Sequence, residues 1–109
     1  MVKPGAVVTV DFPGATGIKR RPAVVVSTTT YHATRPDVIL AVITSQTPSA
    51  AAPSDYVLQD WSAAGLHRPS AFRSFLVTLP AAAVASVVGQ LSDRDWREVQ
   101  TRLRVALAV

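Results

Sequence analysis

Three short runs rich in β-branched residues, 6–12, 22–27 and 38–44, are each fenced by proline, glycine or polar residues. Such runs are too short for helices and carry no 3.6-residue repeat, so they read as strands. Residues 22–27 and 38–44 are almost continuously apolar, which predicts strands buried on both faces. Pro22 is expected at the first position of its strand, where a missing N–H is tolerated. Pro13, Gly14 and Gly17 punctuate a loop carrying Lys19, Arg20 and Arg21, and 28–37 reads as a polar connection.

The second half is less regular. Residues 55–60 give a short strand with Tyr56 and Leu58 on one side, 65–70 a turn, and 72–79 a strand-pair candidate. Pro80 starts a short helix expected over 81–88. The clearest helix begins at Ser92, an N-cap with Asp95 three residues on in a capping-box-like arrangement. Trp96, Val99, Leu103 and Leu107 then follow at helical spacing, and Trp96 is expected to pack the helix onto the core. The fold class is mainly β (α+β): a small SH3-like, partly open β-barrel with a C-terminal α-helix and one short additional helix. No repeat or linker divides residues 1–109, so one domain is expected.

Composition narrows the chemistry. Eleven Lys+Arg against seven Asp+Glu give a net charge of +4. The terminal helix carries four Arg and three acids, so most of the excess lies in residues 1–91. Charged residues are 17%, below the roughly 25% of an average domain, which points to a surface partly hidden in a dimer or complex. There is no cysteine, hence no disulfide framework or thiol nucleophile. His32 and His67 are 35 positions apart with no carboxylate pair beside either, so no metal or cofactor is expected. No phosphate-cradling glycine loop or dinucleotide fingerprint occurs. The start lacks a signal-peptide core, and the longest nearly apolar run, 79–89, is broken by Pro80 and Ser86, short of the roughly 20 residues of a membrane span. A soluble, cytoplasmic, basic protein is expected.

Two clusters remain. Lys19-Arg20-Arg21 is compatible with a solvated loop, but Pro22 biases Arg21 to an extended backbone and a stiff strand follows. A guanidinium on so fixed a base suits bidentate phosphate contact. Thr44 and Ser45 end a strand and offer either an ordinary cap or a hydroxyl pair for a phosphate or 2′-OH. Trp61 is open to base stacking, His67-Arg68 reads first as a solvated turn with groove lining as the alternative, and His32 reads as a structural turn residue.

The string Val10-Asp11-Phe12-Pro13-Gly14, then Lys19-Arg20-Arg21-Pro22-Ala23-Val24-Val25-Val26-Ser27, Tyr31-His32 and Val42-Ile43-Thr44-Ser45 resembles the MazF/PemK toxin family. Gly65-Leu66 with Pro69-Ser70, and Gly89, Leu91, Ser92 and Asp95, are similar to its later landmarks. The resemblance implies an SH3-like homodimer that cleaves single-stranded RNA at short sequences without a metal, leaving 2′,3′-cyclic phosphate and 5′-hydroxyl ends. It implies a cognate antitoxin whose C-terminal segment covers the RNA groove. It places the catalytic arginine on Arg21 and the catalytic threonine on Thr44, and Arg73 on a basic position that some members use near the scissile phosphate; Lys19, Arg20, Ser45 and Ser70 are expected to contact RNA with it. Phe75 stands where some members have an acid, and the first loop, residues 15–19, lacks the acidic or His-containing segment of others. The resemblance therefore assigns no general base. That gap motivates an alternative: a non-nuclease relative of the same fold that binds RNA or inhibits a protein such as gyrase, as CcdB-like toxins do. A generic SH3-like adaptor fits less well, because 6% aromatics make a poor peptide groove.

Overall fold

The computed structural model describes residues 2–14, 17–47 and 52–109. Six strands, β1 (Ala6–Gly14), β2 (Gly17–Val25), β3 (Asp37–Thr44), β4 (Tyr56–Val57), β5 (Ala71–Pro80) and β6 (Val84–Gln90), form one antiparallel sheet in the order β4-β5-β3-β2-β1-β6. Two helices, α1 (Thr29–Thr34) and α2 (Asp93–Ala106), complete the chain. The sheet curls into a half-open barrel, so both faces of its central strands are covered. Val7, Val24 and Ile43 point into one cluster with Phe72 and Val99, whereas Val8, Ala23, Val25 and Leu40 point into another. Alternate residues of β1, β2 and β3 thus serve two cores, which is why their apolar runs have no polar alternation.

Four local expectations are corrected. Lys19, Arg20 and Arg21 lie on β2, not in a loop, because the β1–β2 hairpin stays paired out to Gly14 and Gly17. Pro22 is consequently inside its strand rather than first in it. The short helix is at Thr29–Thr34 instead of 81–88: three alanines make only a single 3-10 turn, Ala81–Ala83, before Val84 joins the sheet. Pairing with β1 along 84–90 outweighs the helix preference of the alanines. Fourth, 72–79 belongs to one continuous strand, and β4 is cut to two residues. The N–H groups of Gln59 and Asp60, which would extend β4, bond instead to the Asp95 carboxylate at 3.1 and 2.8 Å.

Asp95 also revises the cap. Ser92 Oγ accepts the Asp95 N–H at 3.3 Å, as an N-cap should. The Asp95 carboxylate does not return to Ser92; fully buried, it accepts from the Tyr56 hydroxyl at 2.6 Å as well as from the two amides. Burial, reinforced by the hydrogen bond to Asp95, pushes the Tyr56 phenol up to about 12. Beside it Asp60 receives the Ser92 hydroxyl at 2.6 Å and Arg94 twice at 2.7 Å, and those bonds hold its carboxyl down at about 2. The start of α2 is thereby riveted to the segment after β4. Val99 is buried on the core and Trp96 and Leu103 pack beside it, whereas Leu107 lies past the helix end and is exposed. Among the described residues, no helix is long and apolar enough to cross a membrane.

Candidate functional site

The strands open into a groove because of one missing donor. Val26 N–H bonds the Ile39 carbonyl at 3.0 Å, so alternation turns residues 22, 24 and 26 toward β3. Val24 faces Ala41, and the next rung would run from residue 22 to Ile43. Pro22 has no N–H to make it, and the β2–β3 ladder ends at Ala23 and Val42. Beyond that end lies a groove of about 870 Å³, whose lining includes Arg21, Pro22, Ile43 and Thr44.

A second irregularity supplies the opposite side. β3 and β5 pair at Ala41–Leu76 and again at Ile43–Phe72, leaving three residues of β5 against one of β3. This bulge carries Arg73 into the groove lining and throws Phe75 outward, 66% exposed and away from the groove. On the far wall, a bulge in the β1–β6 ladder brings Val88 to the same lining. The loop over residues 60–70 closes the wall. Its Gly65 has φ +89°, and a Cβ there would lie 2.2 Å from the Val88 carbonyl oxygen. Gly89 is as tightly pressed from its own side, 2.1 Å from the Ala64 oxygen. These two glycines let the loop rest directly on β6.

All seven residues expected at the site, Lys19, Arg20, Arg21, Thr44, Ser45, Ser70 and Arg73, line this groove. Their availability differs. Arg21 is exposed and, among the described residues, has no carboxylate partner. Thr44 Oγ1 accepts the Gln46 N–H at 3.2 Å, which orients the hydroxyl and leaves its proton to donate. Arg20 is held by Asp11 through bonds of 2.8 and 3.2 Å; the pair lowers the Asp11 carboxyl and raises the guanidinium. Arg73 stands 3.9 Å from Asp55. Ser70 is buried and donates its hydroxyl to the Arg68 carbonyl at 2.8 Å, so its role here is to shape the loop.

Of the two readings of His67 and Arg68, the groove-lining alternative is the one observed: both are exposed on the groove lining. Only the close approach of Gly65 to Gly89, far apart in sequence, turns this loop inward. Trp61 packs against the core as Trp96 does. His32 Nε2 pairs with the buried Ser27 hydroxyl, away from the groove, in keeping with a structural role. Residues 15 and 16 of the first loop, and residues 48–51 after β3, lie outside the described residues. Among the described residues, five cations, Lys19, Arg20, Arg21, Arg68 and Arg73, line the groove, and no carboxylate does. The arrangement is built for a polyanion.

A profile of PemK-like, MazF-like toxins of type II toxin–antitoxin systems matches residues 3–107. Comparison with curated proteins gives no significant match. Among solved structures, a mycobacterial endoribonuclease in complex with its cognate antitoxin superposes with a TM-score of 0.81 at 17% identity, over 100% of this chain and 97% of that one. The MazF of a MazE–MazF structure from Deinococcus radiodurans gives 0.79 at 18% identity, over 99% and 97%. The Mycobacterium tuberculosis toxin MazF-mt6 gives 0.78 at 15% identity, over 95% and 97%. At these identities the structures share the fold.

Proposed function

The chain belongs to the PemK-like, MazF-like toxins of type II toxin–antitoxin systems, and from that premise we propose that it is a metal-independent endoribonuclease acting on single-stranded RNA. The observation that carries this reading is that Arg21 and Thr44 line one groove beyond the end of the β2–β3 ladder, among five described cations and no described carboxylate. An RNA strand enters along the cations. Arg21 grips the scissile phosphate with its planar fork and meets the charge that builds on the pentacoordinate phosphorus. A guanidinium stays protonated at any working pH, so its part is electrostatic rather than proton transfer. Thr44 donates its hydroxyl proton to a phosphate oxygen, and Ser45 and Lys19 hold the flanking strand. Attack by the 2′-oxygen on the adjacent phosphorus gives a 2′,3′-cyclic phosphate and a 5′-hydroxyl.

The same groove suits the acidic tail of an antitoxin, whose presence would block RNA by occupying its cations. Solved relatives carry such partners, named a cognate antitoxin in one and MazE in another. A homodimer in the cytoplasm accounts for the low charge content and for exposed apolar side chains such as Ile18, Phe75 and Val87.

The test is cleavage of a long mixed-sequence single-stranded RNA in EDTA by wild type and Arg21→Ala, with the ends mapped. Discrete cuts with cyclic-phosphate ends, reduced about a hundredfold or more in the variant, are expected. Intact RNA with the wild-type protein would favour the non-nuclease relative and direct attention to protein targets.

A further inference from the structure

The ribonuclease reading leaves one part unfilled: something must take the proton of the attacking 2′-hydroxyl. The groove lining narrows the choice. Among the described residues it contains no Asp, Glu, Cys or Tyr. Arginine and lysine side chains arrive already protonated and can only donate, and threonine and serine hydroxyls are far too weakly basic. Among the described residues His67 is the single imidazole in the lining, and a neutral imidazole nitrogen has a lone pair basic enough to take that proton. We propose that His67 is the general base of the cleavage reaction, an assignment that rests on the ribonuclease function proposed above.

The loop that bears His67 is fixed at both ends. Upstream, Leu66 packs on the core and its N–H bonds the Trp61 carbonyl at 3.1 Å, while Gly65 sits against β6. Downstream, Ser70 ties back to Arg68, and its carbonyl receives the Leu58 N–H at 3.0 Å. The next residue, Ala71, pairs with Thr44. The loop therefore joins the sheet beside the Thr44 hydroxyl, with the exposed ring of His67 four residues upstream on the same groove. An exposed imidazole on an anchored loop is a suitable carrier for a proton acceptor.

In the step itself, the neutral ring nitrogen accepts the 2′-hydroxyl proton as the 2′-oxygen bonds to phosphorus. The P–O5′ bond breaks, its electron pair stays on O5′, and water protonates that oxygen. The imidazolium then returns its proton to the hydroxide left by that water, so the cycle closes with no other reactant.

Single-turnover cleavage of the same RNA in EDTA, followed from about pH 5 to 9 for wild type, His67→Gln and His67→Ala, tests the assignment. Binding of a 2′-O-methyl oligoribonucleotide, which cannot be cut, runs alongside. Expected are a wild-type rate that climbs with pH to a plateau, a loss of about a hundredfold or more in both variants with the climb gone, unchanged binding, and partial rescue of His67→Ala by free imidazole. Variants that cut at the wild-type rate with the same pH profile overturn the base and leave the ribonuclease standing. Loss of binding in step with cutting also overturns it, making His67 a binding residue. A wild-type protein that leaves RNA whole overturns the ribonuclease and the base together.

Discussion

Arg21 and Thr44 each stand two residues beyond Ala23 and Val42, the last paired positions of β2 and β3, so the register sends both side chains off the same face at the same height. They are neighbours across a ladder that has stopped, and Pro22 is what stops it. The same residue biases Arg21 to an extended backbone. One proline thus fixes the direction of the arginine and keeps open the space between it and the threonine.

Replacing that proline tests the relationship. Pro22→Ala supplies the missing donor toward Ile43, and the strands are expected to zip one rung further. Hydrogen exchange should show a protected amide at position 22, while RNA cleavage falls about tenfold or more, since small misplacements of reacting groups weigh heavily on rate. Thermal stability should move by only a few degrees: loss of proline's restraint on the unfolded chain, about 0.4–1 kcal/mol, is offset by a bond of about 0.5–1.5 kcal/mol. An unprotected amide with undiminished cutting would sink the account of the groove.

Under the proposed function, Asp11 competes with RNA for Arg20. Its carboxyl is held below the usual range by the hydrogen bond from Arg20, so the pair persists throughout neutral and mildly acid solution. Asp11→Asn should release the guanidinium to a phosphate. Each phosphate neutralised on a single strand adds about 0.7 to the slope of log affinity against log salt. Titrations of the 2′-O-methyl oligoribonucleotide at several salt concentrations should therefore give a slope steeper by about 0.7 in the variant. Parallel slopes would mean that Arg20 never meets the RNA backbone.

The sheet and the terminal helix were legible because each rests on local chemistry: β-branched runs for β1, β2 and β3, a serine cap and periodic apolar residues for α2. What escaped depends on partners distant in sequence. α1 is short, threonine-rich and buries none of its residues, so no apolar period announces it. Residues 84–88 become a strand only because β1 lies alongside. Arg21 and Thr44 could be singled out from Pro22 and the strand end, but their juxtaposition is a matter of register. For His67 the sequence left groove lining and a solvated turn both open, since the loop is set by a contact between Gly65 and the β6 backbone.

Asp95 shows the same limit, since spacing suggests a cap where the fold uses a buried acceptor for three donors. Asp95→Ala would strand the Tyr56 hydroxyl and the amides of Gln59 and Asp60. Buried donors left without partners cost about 1–3 kcal/mol each, so a loss of about 3 kcal/mol or more is expected by urea denaturation. Tyr56→Phe removes one donor only and should cost less. If Asp95→Ala unfolds with the wild-type midpoint, the knot at the start of α2 contributes nothing.

Asp60 should give the fold an acid-sensitive limb. The hydrogen bonds from Arg94 and Ser92 place its folded-state carboxyl at about 2, against an ordinary value of 3.8. The unfolded chain therefore takes up this proton first as pH falls, and protons favour unfolding. The stabilisation is complete above about pH 4, declines between 4 and 2, and is gone below the folded-state value. Asp60→Asn removes the titrating group, so the gap in stability between wild type and variant should be constant from pH 7 down to about 4 and then close as pH approaches 2. Urea unfolding at a series of pH values reads this directly. A gap that stays constant down to pH 2 would show that Arg94 and Ser92 do not hold the Asp60 carboxylate in solution.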